Sequence, residues 1–124
     1  GTLVIAEGTS ENPVKFVARG ASIRAQKLTL DTQNQTVRAV GEVFLERQST
    51  FLRRELRSRR LKQVEREEIF TSTARGQNLF YDFKAQTGTL DSASLLLPQA
   101  NIEAGNLIIN GQTYTAKNVI LRPG

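Results

Sequence analysis

The chain reads as an all-β protein built from antiparallel hairpins, and three observations say so. Apolar and polar residues alternate over several short stretches, which is the period of a half-buried strand. Those stretches come in pairs joined by polar turns. The pair recurs along the chain at intervals of about one hairpin, and a lone hairpin is marginal in water, so the copies are expected to stack and share one interior.

The first copy runs from Ile23 to Leu45. Leu28 and Leu30 alternate with Lys27 and Thr29; Asp31-Thr32-Gln33-Asn34-Gln35 has no apolar residue and predicts a turn; Val37, Ala39, Gly41, Val43 and Leu45 then share one parity. The second runs from Gly76 to Leu97. Leu79-Phe80-Tyr81-Asp82 matches Leu28 to Asp31, Phe83 to Gly88 reads as a turn one residue longer, and Thr89, Asp91, Ala93, Leu95 and Leu97 carry the return strand's odd parity. The third runs from Ile102 to Leu121, with Leu107-Ile108-Ile109 as its first strand, Asn110-Gly111 as a tight-hairpin signal, and Thr115, Val119 and Leu121 on the return strand. Ala25, Gly76 and Ala104 each stand three residues before the first Leu of a copy, a small residue where the chain can bend. Upstream, Thr2 to Ile5 reads as an edge strand, Gly8 to Pro13 as a loop, and Val14, Phe16 and Ala18 as a short strand, the worn half of an earlier copy.

Gln48 to Ile69 breaks the pattern. It lacks Gly and Pro, is dense in Arg, Glu and Leu, and has high helix propensity. Its apolar residues form neither a helical stripe nor a clean alternation. A short helix or an irregular excursion is expected at about 50–66, followed by a strand from Glu68 to Ala74, with a strand pair projecting beyond the sheet as the alternative.

At 124 residues the chain is expected to form one domain, 1–124. It has no Cys and no His, which removes disulfides, thiolate nucleophiles and the commonest general base and metal ligand. No cofactor or metal is expected, and no enzyme. The apolar runs are a few residues long, too short for a helical span of a bilayer. The formal net charge is +5, but eight of the 17 basic residues fall between Arg47 and Arg66. The basic character is therefore local. Arg53, Arg54, Arg57, Arg59 and Arg60 are the candidate contacts for an anionic surface, set against a solvated face of no specific function. Nucleic-acid binding is disfavoured, because only Phe51 and Phe70 accompany the cluster as stacking groups. Asp31 and Asp82 precede turns and read as turn caps rather than as an acid/base pair.

The spacing Ala25-x-x-Leu28-x-Leu30-Asp31 followed by Val37-x-Ala39-x-Gly41-x-Val43-x-Leu45, with Gly76-x-x-Leu79-x-Tyr81-Asp82-Phe83 and Gly88-Thr89-Leu90, resembles the OstA-like family of the Lpt lipopolysaccharide-transport proteins. The third copy matches loosely, and 48–73 lies outside the resemblance. What the resemblance implies is an antiparallel β-jelly roll, two sheets in an open V with acyl chains between them, placed in the periplasm. It also implies homo- or hetero-oligomers with other β-jelly-roll transport domains, formed by pairing edge strands. The lipid-contact residues are then expected on the shared apolar face: Leu28, Leu30, Val37, Val43, Leu45, Leu79, Tyr81, Leu95, Leu97, Leu107, Ile109, Val119 and Leu121. The partner would be lipopolysaccharide or a related acylated lipid. From the residues alone the same face is equally the closed core of a structural assembly module, and that alternative stays open.

Overall fold

The computed structural model describes residues 1–57, 62–98 and 100–123; the side chains of 49–69 and 121–123 lie outside the description. The described chain is all strand and turn: β1 Leu3–Glu7, β2 Val14–Ala18, β3 Ala21–Ala25, β4 Lys27–Asp31, β5 Thr36–Arg57, β6 Lys62–Asp82, β7 Thr87–Leu96, β8 Ala100–Asn110 and β9 Thr113–Pro123. They form one antiparallel sheet that does not close, in the order β1-β4-β5-β6-β7-β8-β9, with the β2-β3 hairpin added to β5 through β3.

The sheet bends along a single line, and the sequence dictates where. A flat strand keeps its inward residues two apart. Here the inward sequence instead steps by three at Ala25 to Leu28, Gly76 to Leu79, Leu90 to Ala93 and Ala104 to Leu107, all of them buried. Left-handed residues lie on the same line: Glu42 (φ 47°) beside Gly41 (φ 82°), Ser92 (φ 52°) and Asn118 (φ 58°). Between Val40 and Val43 the β5–β6 register shifts, the mark of a bulge, which bends a strand and re-aims its side chains. The small residues before each first Leu therefore mark the bend. At Gly76 the reason is room, because a Cβ there would lie 2.6 Å from both the Asp91 carbonyl oxygen and a methyl carbon of Leu90.

The bend divides the sheet into two layers. β4 pairs with the first part of β5 (Lys27↔Val40 to Asp31↔Thr36) and carries β1 on its other edge, and β3 pairs with the second part (Ala21↔Arg47 to Arg24↔Phe44) and carries β2. Contacts between strands that are not sheet neighbours show that the layers fold face to face. Arg47 of β5 reaches Tyr114 of β9, and the Phe16 ring of β2 lies 5.2 Å from that of Phe83 in the β6–β7 turn. Between the layers sits one apolar cluster, whose fully enclosed side chains include Ile23, Leu45, Leu90, Leu95, Leu107 and Ile109.

Two hairpins are closer copies than the sequence suggests. Asp31↔Thr36 and Asp82↔Thr87 close turns of equal length, so the second is not a residue longer, and Gly88 belongs to β7. Each Asp caps its turn alike: Asp31 Oδ1 accepts from the Gln33 and Asn34 amides at 3.0 and 3.1 Å, and Asp82 Oδ1 from the Lys84 and Ala85 amides at 3.0 and 2.9 Å. Gln35 and Gln86 close both turns with positive φ.

The expected helix or irregular excursion at about 50–66 is replaced, over the described residues, by strand. β5 and β6 stay in register from Gln48↔Thr71 through Thr50↔Ile69 to Arg57↔Lys62. A helix must nucleate at a cost, whereas a ladder already formed upstream extends by one pair at a time. That extension outweighs the intrinsic helix preference of Arg, Glu and Leu. Arg59 and Arg60 lie outside the described residues.

Candidate interlayer site

The face expected to contact lipid is the interior of the folded sheet. Leu28, Val37, Val43, Leu45, Leu79, Tyr81, Leu95, Leu107 and Ile109 are buried at 5% exposure or less, and Leu30 and Leu97 are partly buried against the same cluster. The β4 and β5 members meet directly across the ladder, Leu30 opposite Val37 and Leu28 opposite Ala39. β5 and β6 continue the row with Val37 opposite Tyr81, and β7 and β8 with Leu90 opposite Leu107.

Two positions differ. Val119 is opposite Ala104, so it shares the interior register, but β9 is the last strand of the sheet and Val119 stays 41% exposed. Leu121 pairs with Ile102 by backbone, and its side chain lies outside the description. The uniform odd parity expected for the second return strand is also corrected. Thr89 and Asp91 face out while Leu90 is fully buried, because the left-handed Ser92 inverts the alternation before Ala93 and Leu95. The same inversion at Asn118 turns Thr115 outward and Tyr114 and Ala116 inward. A single strand's alternation carries no sign of such a break, so Leu90 escaped the sequence reading.

The interior also holds a polar group that sequence reading counted only as part of the basic run. Arg47 is 5% exposed and Ser72 1%, and they lie opposite each other on β5 and β6. Arg47 donates from Nη1 to the Tyr114 hydroxyl at 3.1 Å and from Nη2 to the Gly111 carbonyl oxygen in the β8–β9 turn. The Tyr114 and Ser72 hydroxyls share a hydrogen bond of 2.6 Å. The guanidinium also stands over the rings of Tyr114, at 5.4 Å, and Tyr81, at 5.8 Å. The signal was available: Arg47 continues the inward row Val43, Leu45 by the same step of two. Burial raises the Tyr81 phenol above its ordinary range, and the positive charge of Arg47 partly offsets the rise.

Together with Phe16 and Phe83, this polar group lies where the turn ends of one layer meet the other, opposite the bend. That is the mouth of the folded sheet. Beyond it the β5–β6 ladder continues to Arg57↔Lys62.

On the outer face, Phe44 lies between Arg24 and Arg75, whose guanidinium carbons are 4.5 and 5.0 Å from its ring centre, and Arg38 covers Phe80 at 4.7 Å. Each of these rings has a cation of the protein itself over it. Among the described residues there is no cluster of acidic side chains able to hold a metal ion.

No family model matches the chain, and no curated protein or solved structure matches it either.

Proposed function

We propose that this chain is a non-enzymatic periplasmic module of lipopolysaccharide transport, holding acyl chains between the layers of its folded sheet and joining similar β-jelly-roll domains through edge strands. The observation that carries the reading is a single apolar-lined sheet, folded but not closed, with aliphatic side chains left on its border strands. Leu3, Val4 and Ile5 on β1 are 63%, 43% and 58% exposed, Val17 on β2 66%, and Ile120 on β9 56%. β1 and β9 end the strand order, and such a border offers main-chain hydrogen bonds to another strand. Inside, burial of each acyl CH₂ is worth about 0.8 kcal/mol, so a partly inserted tail is enough to drive binding.

The test is site-specific photo-crosslinking with lipopolysaccharide. A photoreactive residue at Leu30, Leu97 or Val119 is expected to label the lipid, and one at Val17 is not. Equal labelling at all four, or labelling at none, removes the reading.

A second reading is favoured by the tightness of the core. Nine of the proposed lipid-contact residues are buried by the protein's own side chains, as in a structural assembly module with a filled interior. End-to-end oligomers in light scattering, with no lipid crosslinked, would select it. Contact with an anionic surface through Arg53, Arg54, Arg57, Arg59 and Arg60 rests on the charge run alone, and affinity that stays flat with salt would remove it.

A further inference from the structure

We propose that Arg47 is the receptor for the oxyanion of an acyl amphiphile whose tail enters between the layers; this rests on the acyl-binding reading above and adds to it a headgroup requirement. A guanidinium is charged at every relevant pH, and taking it out of water without an anion is costly. Proteins normally bury Arg beside a carboxylate. Arg47 is 5% exposed, yet the groups found around it are a carbonyl oxygen, two hydroxyls and two tyrosine rings. Among the described residues it makes no ion pair. The two salt bridges they do contain, Arg24–Glu46 and Lys27–Glu7, are long and exposed.

The surroundings suit a bound oxyanion. A guanidinium presents its N–H groups as a fork that matches two oxygens of a carboxylate or phosphate. Arg47 spends Nη1 on a hydroxyl and Nη2 on the carbonyl of a half-buried turn residue, Gly111, and both partners can be exchanged for ligand oxygens. The Ser72 and Tyr114 hydroxyls, now bonded to each other, are then free to donate to the same ligand. Depth fits as well. Arg47 is at the mouth, and the row of Ile23, Leu45 and Leu95, in register across β3, β5, β6 and β7, lies one inward step closer to the bend, so a tail inserted first leaves its headgroup at the guanidinium. A core that needed only to be filled would be served as well by an apolar side chain of the same length, since replacing buried charge by packed apolar groups is often neutral or stabilising.

The experiment titrates the full chain with three amphiphiles of one tail length, below their micelle concentrations: laurate, lauryl phosphate and lauryl alcohol. Wild type is expected to bind at least one of the anions roughly tenfold more tightly than the alcohol, a difference of about 1.4 kcal/mol. Preference for laurate or for lauryl phosphate identifies the carboxylate or the phosphate as the group recognised. Arg47→Met is expected to bind all three alike, at the alcohol's affinity. Arg47→Lys keeps a cation without the fork and is expected to retain only about a threefold preference, which provides the comparison should Arg47→Met not fold. Equal binding of anions and alcohol by wild type overturns the headgroup assignment and leaves acyl binding standing. A preference that survives in Arg47→Met, or undiminished in Arg47→Lys, overturns the assignment too. Binding of none of the three overturns this assignment and the acyl reading together.

Discussion

Truncating Leu90 asks directly how the space between the layers is filled. Leu90 has no exposed surface, sits opposite Leu79 and Leu107, and packs a methyl group against Gly76. In a packed site of this kind, Leu→Ala removes the transfer energy of the side chain and leaves a cavity, at a cost of about 3 kcal/mol. For 124 residues the unfolding entropy is about 0.26 kcal/mol per kelvin near the midpoint, so Leu90→Ala should lower Tm by about 11 °C. Leu96→Ala, six residues along the same strand and 55% exposed, is the control and should stay within about 0.5 kcal/mol of wild type. Thermal melts of the three proteins, followed by far-UV circular dichroism in the strand band, read both values. If Leu90→Ala costs less than about 1 kcal/mol, or no more than Leu96→Ala, the layers are not packed on each other in the free protein and the core between them is not enclosed.

Three more outcomes are expected. The raised Tyr81 phenol favours the neutral form in the folded state, so its contribution to stability is complete below the unfolded value of about 10 and is lost as pH rises through the folded value; denaturation midpoints above pH ~10 should fall for wild type and fall less for Tyr81→Phe. Gly41→Ala places a Cβ at φ 82° and 2.5 Å from Gln26 Oε1, and should lower stability by about 1–2 kcal/mol in urea titration, whereas Gly105→Ala, whose Cβ would come no closer than 3.3 Å to its nearest neighbour, should cost less. Ile5→Lys places a charge on the border strand β1 and should lower the apparent mass of any self-associated species in sedimentation while leaving the monomer's melting point within a degree or two; unchanged association would take β1 out of the assembly surface.

Most of the fold was legible because each hairpin announces itself locally. Alternation located Leu28, Leu30, Val37, Leu79 and Leu107, and Asp31 and Asp82 cap turns as their positions before polar runs imply. The bend was half legible: small residues three before each first Leu marked its place on Ala25, Gly76 and Ala104. Its effect on side-chain direction was hidden, because the left-handed turns of Ser92 and Asn118 depend on neighbouring strands and neither residue is Gly. The extension of β5 was legible only as the alternative of a projecting strand pair, for a different reason. Its residues prefer helix in isolation, and the partner strand that overrides the preference, β6, comes later in the chain. Arg47 shows the limit of composition: as one cation among eight between positions 47 and 66 it looked like part of a solvated surface, and only its place in the row beyond Leu45 put it indoors.

The strand order has a kinetic consequence. From β5 to β9 every strand pairs with the one just made, so this part can form by successive short-range steps. β1 is different: Ala6 must find Leu28 after the intervening β2–β3 hairpin has gone to the other layer. Closing that longer loop costs entropy before any pairing compensates it. β1 should therefore dock late in refolding and detach early, making the most N-terminal strand the first place where amide hydrogens exchange and where a foreign strand gains entry.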